Sequence, residues 1–331
     1  MLSALMRLKP LMKNETVSLA AWQASGKFFK YRRFDIDYNI FYRDSAENLK
    51  SKLSEAEYLK EKFSKPVLLL IHGFPTSSID WHAVWPVFSQ YFRLITLDMM
   101  GFGLSDKPKD YQYSIHDQAD IYQSLLNTLD ITGYHLIAHD YGDTVAQELL
   151  ARQLEREKAS SSFAYRSQIL SSILLNGGLF PETHRPLLMQ KLLASPLGAL
   201  LIKFYSFSKF KKTFEHICAQ PIDENELNIY WQLLQYNEGT AVMPKLIRYM
   251  QERREFRSRW VGALEKNRSP MRLIDGIADP ISGAHMVEYY EELIERPDVI
   301  KLEGIGHYPQ VEAPQQVASA ALEFWQQYKI I

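Results

Sequence analysis

Residues 134–150 read YHLIAHDYGDTVAQELL, and the fold is decided by what the chain does at Asp140. YHLIAH is an apolar run of strand length, whereas the residues after Gly142 carry apolar side chains at helical spacing. Ala138 and Gly142 flank Asp140 as A-x-D-x-G, so small residues surround a tight passage from strand into helix. Two readings of Asp140 are open at this point. It can cap the helix, because an aspartate side chain accepts hydrogen bonds from first-turn amides, or the turn can present its carboxylate outward.

The same unit recurs along the chain. Apolar runs at 67–72, 93–98, 134–139, 169–175, 271–276 and 298–304 predict strands, each ending in a loop; helical patterns centre on 77–90, 114–129, 142–157, 285–295 and 314–328. Strands alternating with helices predict an α/β fold, with a mainly parallel sheet flanked by helices. GKFFKYRRFDIDYNIFY (26–42) alternates like a β-hairpin ahead of it. The charged stretch 45–66 reads as a helical insertion. Residues 180–267 break the rhythm: they are helical in composition, without a clear strand, and are expected to form an inserted helical cap. The expected division is an N-terminal segment 1–24, a core of 25–179 and 268–331, and the cap 180–267.

A chain of 331 residues with 46% hydrophobic side chains can bury one large core with an insertion. The net charge of -1 gives no basic surface for phosphates, so no nucleic-acid partner is expected. A single cysteine, Cys218, excludes an internal disulfide and suits a reducing compartment. MLSALMRLKPLMKN is broken by Arg7, Lys9 and Pro10 before it reaches signal length, and no apolar stretch approaches the roughly 20 residues of a membrane span. A cytoplasmic location and no transmembrane segment are therefore expected, with the oligomeric state open.

Ligands of such sheets bind at the carboxyl ends of the strands, where the unusual residues gather. A-x-D-x-G resembles the G-x-S-x-G nucleophile elbow of α/β-hydrolases, with aspartate in place of serine. Asp279 in DGIADP follows strand 271–276 and His307 in GIGHYPQVEAP follows strand 298–304, in the order nucleophile, acid, histidine expected of that fold. Asp275, inside the strand, competes with Asp279 for the acid role. HGFPTSSIDW (72–81) resembles the loop that supplies an oxyanion-hole amide, here Phe74, with Tyr141 supplying the second. Asp98 and Ser105 of LDMMGFGLSDKP are read as loop-holding groups, and His72 and His139 as packing or orienting ones.

An aspartate nucleophile suits attack on saturated carbon bearing halide or epoxide oxygen, because attack on an acyl carbon would leave a reactive anhydride. The alkyl-enzyme ester would then be hydrolysed by water activated by His307. The loops together resemble the epoxide hydrolase and haloalkane dehalogenase branch of the α/β-hydrolases. SGKFFKYRRFDI, GFGLSDKP, HDYGDTVAQELL, NGGLFPETHRPLLMQKLL, SRWVGAL and GHYPQVEAP resemble in particular the epoxide-hydrolase-like group of the mesoderm-specific transcript proteins and their bacterial relatives. The resemblance implies an α/β-hydrolase fold and a catalytic set of Asp140, Asp279 and His307, acting on a small apolar substrate and water without cofactor or metal. It departs in two places. Val261 stands where epoxide hydrolases carry a cap tyrosine that protonates the opening ring, and Tyr141 stands where haloalkane dehalogenases carry a halide-binding tryptophan. Cap and pocket candidates are Tyr205, Trp231, Tyr236 and Phe180, with Tyr230 and Tyr249 as further cap tyrosines. The expected function is epoxide-hydrolase-like; a haloalkane dehalogenase and a non-catalytic small-ligand-binding homologue are the alternatives.

Overall fold

Apolar runs long enough for a strand but too short for a helix give the molecule its sheet. The computed structural model describes residues 17–47, 54–159 and 167–331. Its eight strands are β1 (Lys27–Arg33), β2 (Ile36–Asp44), β3 (Val67–Ile71), β4 (Arg93–Leu97), β5 (Gly133–Ala138), β6 (Gln168–Leu174), β7 (Met271–Gly276) and β8 (Val299–Leu302). They lie in the order β1-β2-β4-β3-β5-β6-β7-β8. The 26–42 hairpin is present as β1–β2, and β2 joins β4 antiparallel; every later pairing is parallel. All six strands expected after Pro66 appear, with ends shifted by a residue or two. Parallel strands covered on both faces need apolar residues throughout, and β4 is buried along its whole length.

Helices Ile115–Thr128, Tyr141–Ala159, Ala284–Leu293 and Pro314–Gln327 fall where the periodicity places them. The expected helix at 77–90 does not form. Two single turns, Ser78–Trp81 and Trp85–Phe88, replace it. The Ser78 amide donates to Asp98 Oδ1 at 2.9 Å, which ties the first turn to a neighbouring loop, and Pro86, lacking an N–H, begins a new turn rather than continuing one. Of the charged insertion, Glu55–Ser64 is helical with a Ser54–Glu57 capping box; residues 48–53, like residues 1–16 of the N-terminal segment, lie outside the described residues.

Between β6 and β7 the described chain is helical, from Leu188–Ala194 through Phe207–Ile217, Glu224–Gln235 and Tyr249–Glu255 to Arg257–Lys266. The last of these packs on Tyr141–Ala159 around the buried Glu148. That carboxylate accepts from Arg152 Nε (2.7 Å), Arg259 Nε (2.6 Å) and Trp260 Nε1 (2.8 Å), and lies 3.0 Å from His116 Nδ1. No helix among the described residues is long and apolar enough to cross a membrane.

Candidate active site

β5 ends at Ala138, and the chain turns into its helix at Tyr141 through an Asp140 held at φ +49°. This left-handed conformation is costly for a residue with a side chain, and surrounding contacts must impose it. Gly142 is one of them: a β-carbon there would lie 2.5 Å from the Ile71 carbonyl oxygen and 2.6 Å from that of His72, so only glycine lets the helix come so close to β3. The Asp140 amide donates to the Asn176 carbonyl at 3.0 Å.

The Asp140 carboxylate does not cap its own helix. Its Oδ2 accepts from the Phe74 amide at 3.0 Å, 66 residues away in sequence. Oδ1 accepts no hydrogen bond among the described residues and faces two basic side chains, with His307 Nε2 at 4.0 Å and Arg253 Nη2 at 3.9 Å. Asp140, His307 and Asp279 are all buried.

His307 Nδ1 lies 2.7 Å from Asp279 Oδ2. Asp279 is in turn fixed by the Ile281 amide (2.7 Å), the Ser282 amide (3.1 Å) and hydroxyl (2.8 Å), and Asn176 Nδ2 (3.1 Å). Burial alone would raise the Asp279 carboxyl, but the His307 charge and these donors bring it down to about 2. Burial alone would lower the His307 imidazole; Asp279, through charge and hydrogen bond, and then the Asp140 charge push it up to about 9. The competing Asp275 behaves differently. It takes one bond, from Asn176 Nδ2 at 3.2 Å, its Oδ2 has no partner, and burial holds its carboxyl well above the usual range. Burial does the same to Asp80 and Asp143.

The loops are held as their sequences suggest. Asp98 accepts from the Ser78 and Leu104 amides, and Ser105 Oγ donates to the Asp98 carbonyl at 2.6 Å. His72 Nε2 accepts from the Met99 amide at 3.0 Å, and His139 Nε2 lies 2.7 Å from the His307 carbonyl. Glu312 gathers the histidine loop by accepting from the Gly306 and Tyr308 amides, each at 2.9 Å, and from Ala219 and Gln220 beyond the Phe207–Ile217 helix.

The pocket candidates separate. Tyr205 and Trp231 pack on each other and on Phe210, Phe180 is buried against Tyr289 and Tyr290, and Tyr236 is 41% exposed. None makes a hydrogen bond, ion pair or ring contact with Asp140, Asp279 or His307 among the described residues. Tyr230 donates to Glu226. Of the tyrosines expected in the cap, Tyr249 lies beside the elbow, with its ring 4.8 Å from that of Tyr141 and 6.3 Å from that of Phe74. Val261 is buried in the Arg257–Lys266 helix.

Three residues that sequence reasoning did not single out complete the surroundings. Asn176 ties the Asp140 amide to the Asp279 loop. Arg253, buried and 4.4 Å over the Tyr249 ring, donates through Nε to Thr144 Oγ1 (2.8 Å) and through Nη2 to the Asp140 carbonyl (3.2 Å). His184 approaches Arg253 across Gly178, where a β-carbon would lie 2.2 Å from Arg253 Nη1 and 2.9 Å from His184 Nδ1. The NGG of 176–178 was the available signal, since two successive glycines mark a close approach. Among the described residues no cluster of three His, Cys, Asp or Glu side chains is arranged to hold a metal ion.

Residues 66–314 match the model of a family described by its alpha/beta hydrolase fold. The mesoderm-specific transcript protein of Mus musculus is 39% identical over 317 residues, which cover 93% of this chain and 88% of that protein. Two solved structures share the fold at 19% identity. A loop variant of the haloalkane dehalogenase DbeA from Bradyrhizobium elkanii has a TM-score of 0.69 over 92% of this chain and 98% of its own, and the epoxide hydrolase CorEH one of 0.67 over 92% and 99%.

Proposed function

The chain belongs to the alpha/beta hydrolase fold family, and on that premise we propose that it hydrolyses a bond at saturated carbon with Asp140 as nucleophile, most simply an epoxide. The observation that carries this reading is the Asp140 carboxylate itself: Oδ2 rests on the Phe74 amide, while Oδ1 takes no hydrogen bond and lies 4.0 Å from His307 Nε2. An oxygen without hydrogen bonds keeps its lone pairs for attack. Oδ1 adds to the electrophilic carbon, and the leaving oxygen takes the bonding pair and then the proton of His307. Neutral His307, oriented by Asp279, next accepts a proton from the water that attacks the Asp140 carboxyl carbon. The Phe74 and Tyr141 amides receive the resulting oxyanion; losing one such donor typically costs about 3–4 kcal/mol of barrier. Residues 180–267 serve as the cap over this site.

A halide leaving group uses the same three residues without the first proton transfer. Release of bromide from a bromoalkane panel, against diol formation from an epoxide panel, separates the two. The defining test is His307→Gln, which blocks hydrolysis, leaves attack on a bromide untouched and slows epoxide opening by removing its proton donor. Intact mass should then show one alkyl adduct, mapped to Asp140. Wild-type enzyme in heavy-oxygen water should place label in Asp140 in the first turnover and in product only later. Label entering product directly in the first turnover would refute the ester.

A further inference from the structure

We propose that Arg253, His184 and Tyr249 form a receiving site for a carboxylate of the substrate, so that the bond broken by Asp140 lies on the carbon next to an acid group. The proposal rests on the nucleophilic reading above and names the substrate class for it.

Arg253 is 3% exposed, and the one carboxylate within ion-pair distance of it among the described residues is Asp140, at 3.9 Å. Two of its three guanidinium nitrogens are used, Nε on Thr144 and Nη2 on the Asp140 carbonyl; Nη1 has no partner. Neither ring nitrogen of His184 has a partner, and the Tyr249 hydroxyl makes no well-formed hydrogen bond, its polar interaction being with the Arg253 guanidinium. Arg253 Nη1 and the His184 imidazole, both with unused hydrogen-bonding atoms, therefore meet at Gly178, and the Tyr249 ring lies under the guanidinium. Buried donors without acceptors are rare and costly, and a guanidinium presents a planar fork suited to a carboxylate.

The reaction supplies a second reason. In the resting site Arg253 faces the Asp140 charge. When Oδ1 bonds to carbon and the bond to bromide or ring oxygen breaks, the electron pair leaves with that atom and Asp140 becomes a neutral ester. Among the described residues Arg253 would then keep only the buried Asp143 carboxyl, which burial holds in its protonated form, within its field. A substrate carboxylate on Nη1 keeps it paired until water, giving one proton to His307, attacks the Asp140 carboxyl carbon. The tetrahedral species then collapses, and the hydroxy acid oxygen leaves with a proton. The missing ring-protonating tyrosine at Val261 and the absent tryptophan at Tyr141 are consistent with a site that holds its substrate by charge.

The test uses matched pairs on the full chain: 2-bromobutanoate against 1-bromobutane, and glycidate against 1,2-epoxypropane. In the His307→Gln protein the acid member of each pair should form the Asp140 adduct at least tenfold faster. Arg253→Met should erase that preference and Arg253→Lys retain part of it; His184→Ala, farther from the elbow, should weaken it if Arg253→Met does not fold. Equal rates within pairs, or Arg253→Met slowing both members alike, would overturn the proposal and leave Arg253 as a support of Asp140. Slowing confined to the two bromides would assign the site to the leaving halide instead, and overturn it too. Absence of any adduct defeats the nucleophilic reading. The subsite is then judged by calorimetric titration of wild-type protein with butanoate: saturable binding lost in Arg253→Met supports it, and no binding overturns it.

Discussion

At the scale of single residues, the site is a set of charges whose values depend on one another. His307 is held at about 9 partly by the Asp140 charge, and ester formation removes that charge. The imidazole of the ester should therefore release its proton at a lower pH than that of the resting enzyme. Hydrolysis of the ester, followed by rapid-quench mass analysis, should rise with pH through a midpoint below about 9, whereas binding of a proton to the resting site, followed by NMR, should show the higher value. A common midpoint for both would mean that Asp140 contributes nothing to the His307 field. That Asp140, Asp279 and His307 would come together was legible in the sequence, because each follows a recognisable strand. Arg253 was not, because its partner Thr144 lies 109 residues away and arginine in a helix is ordinarily a surface residue. His184 was passed over for the same reason: nothing local announces that it will meet Arg253.

Among the elements, the strands were legible almost to their ends, since fully buried parallel strands are written as continuous apolar runs. The helical stretch between β6 and β7 was legible only in outline, because its aromatic residues pack against one another irregularly. Two glycines show how differently the elements are constrained. Gly142→Ala would force the elbow helix off β3 and should destabilise by about 1–3 kcal/mol or more. Gly262 sits inside Arg257–Lys266 with nothing nearer than Lys266 Nζ at 3.6 Å, so Gly262→Ala should stabilise by about 0.5–1 kcal/mol. Urea unfolding of both variants checks the opposite signs. The same helix is fastened to the elbow helix through Glu148; Glu148→Ala leaves Trp260 Nε1 without its acceptor, while Arg152 keeps Asp120 and Gln123 and Arg259 keeps Glu155. A loss of about 1–3 kcal/mol is expected, the cost of leaving a buried donor unsatisfied, because both arginines keep a second carboxylate. A change below about 1 kcal/mol in the same measurement would show that the network adds specificity rather than stability.

Across the whole molecule, the helices between β6 and β7 reach each part of the site. Arg253 meets the elbow, the Ile217 carbonyl accepts from the His307 amide at 2.9 Å, and Lys107 donates from its loop to the Leu233 and Tyr236 carbonyls at 3.3 and 2.8 Å. Burial lowers the Lys107 ammonium to about 8, so this last tie weakens first as solution becomes alkaline. The buried acids have a different consequence, for the charge that the molecule carries in solution. The composition gives -1, counting every aspartate as ionised and every histidine as neutral. Folding favours the protonated carboxyls of Asp80, Asp143 and Asp275 and the imidazolium of His307, and against them the neutral imidazoles of His72, His135, His139 and His184; an unperturbed histidine is already mostly neutral near pH 7, so with the three acids protonated the native molecule carries more protons than its own unfolded chain. On an isoelectric-focusing gel the folded protein should therefore band at a higher pH than the same chain in urea, and a band that does not move would mean that those acids are ionised in the native state.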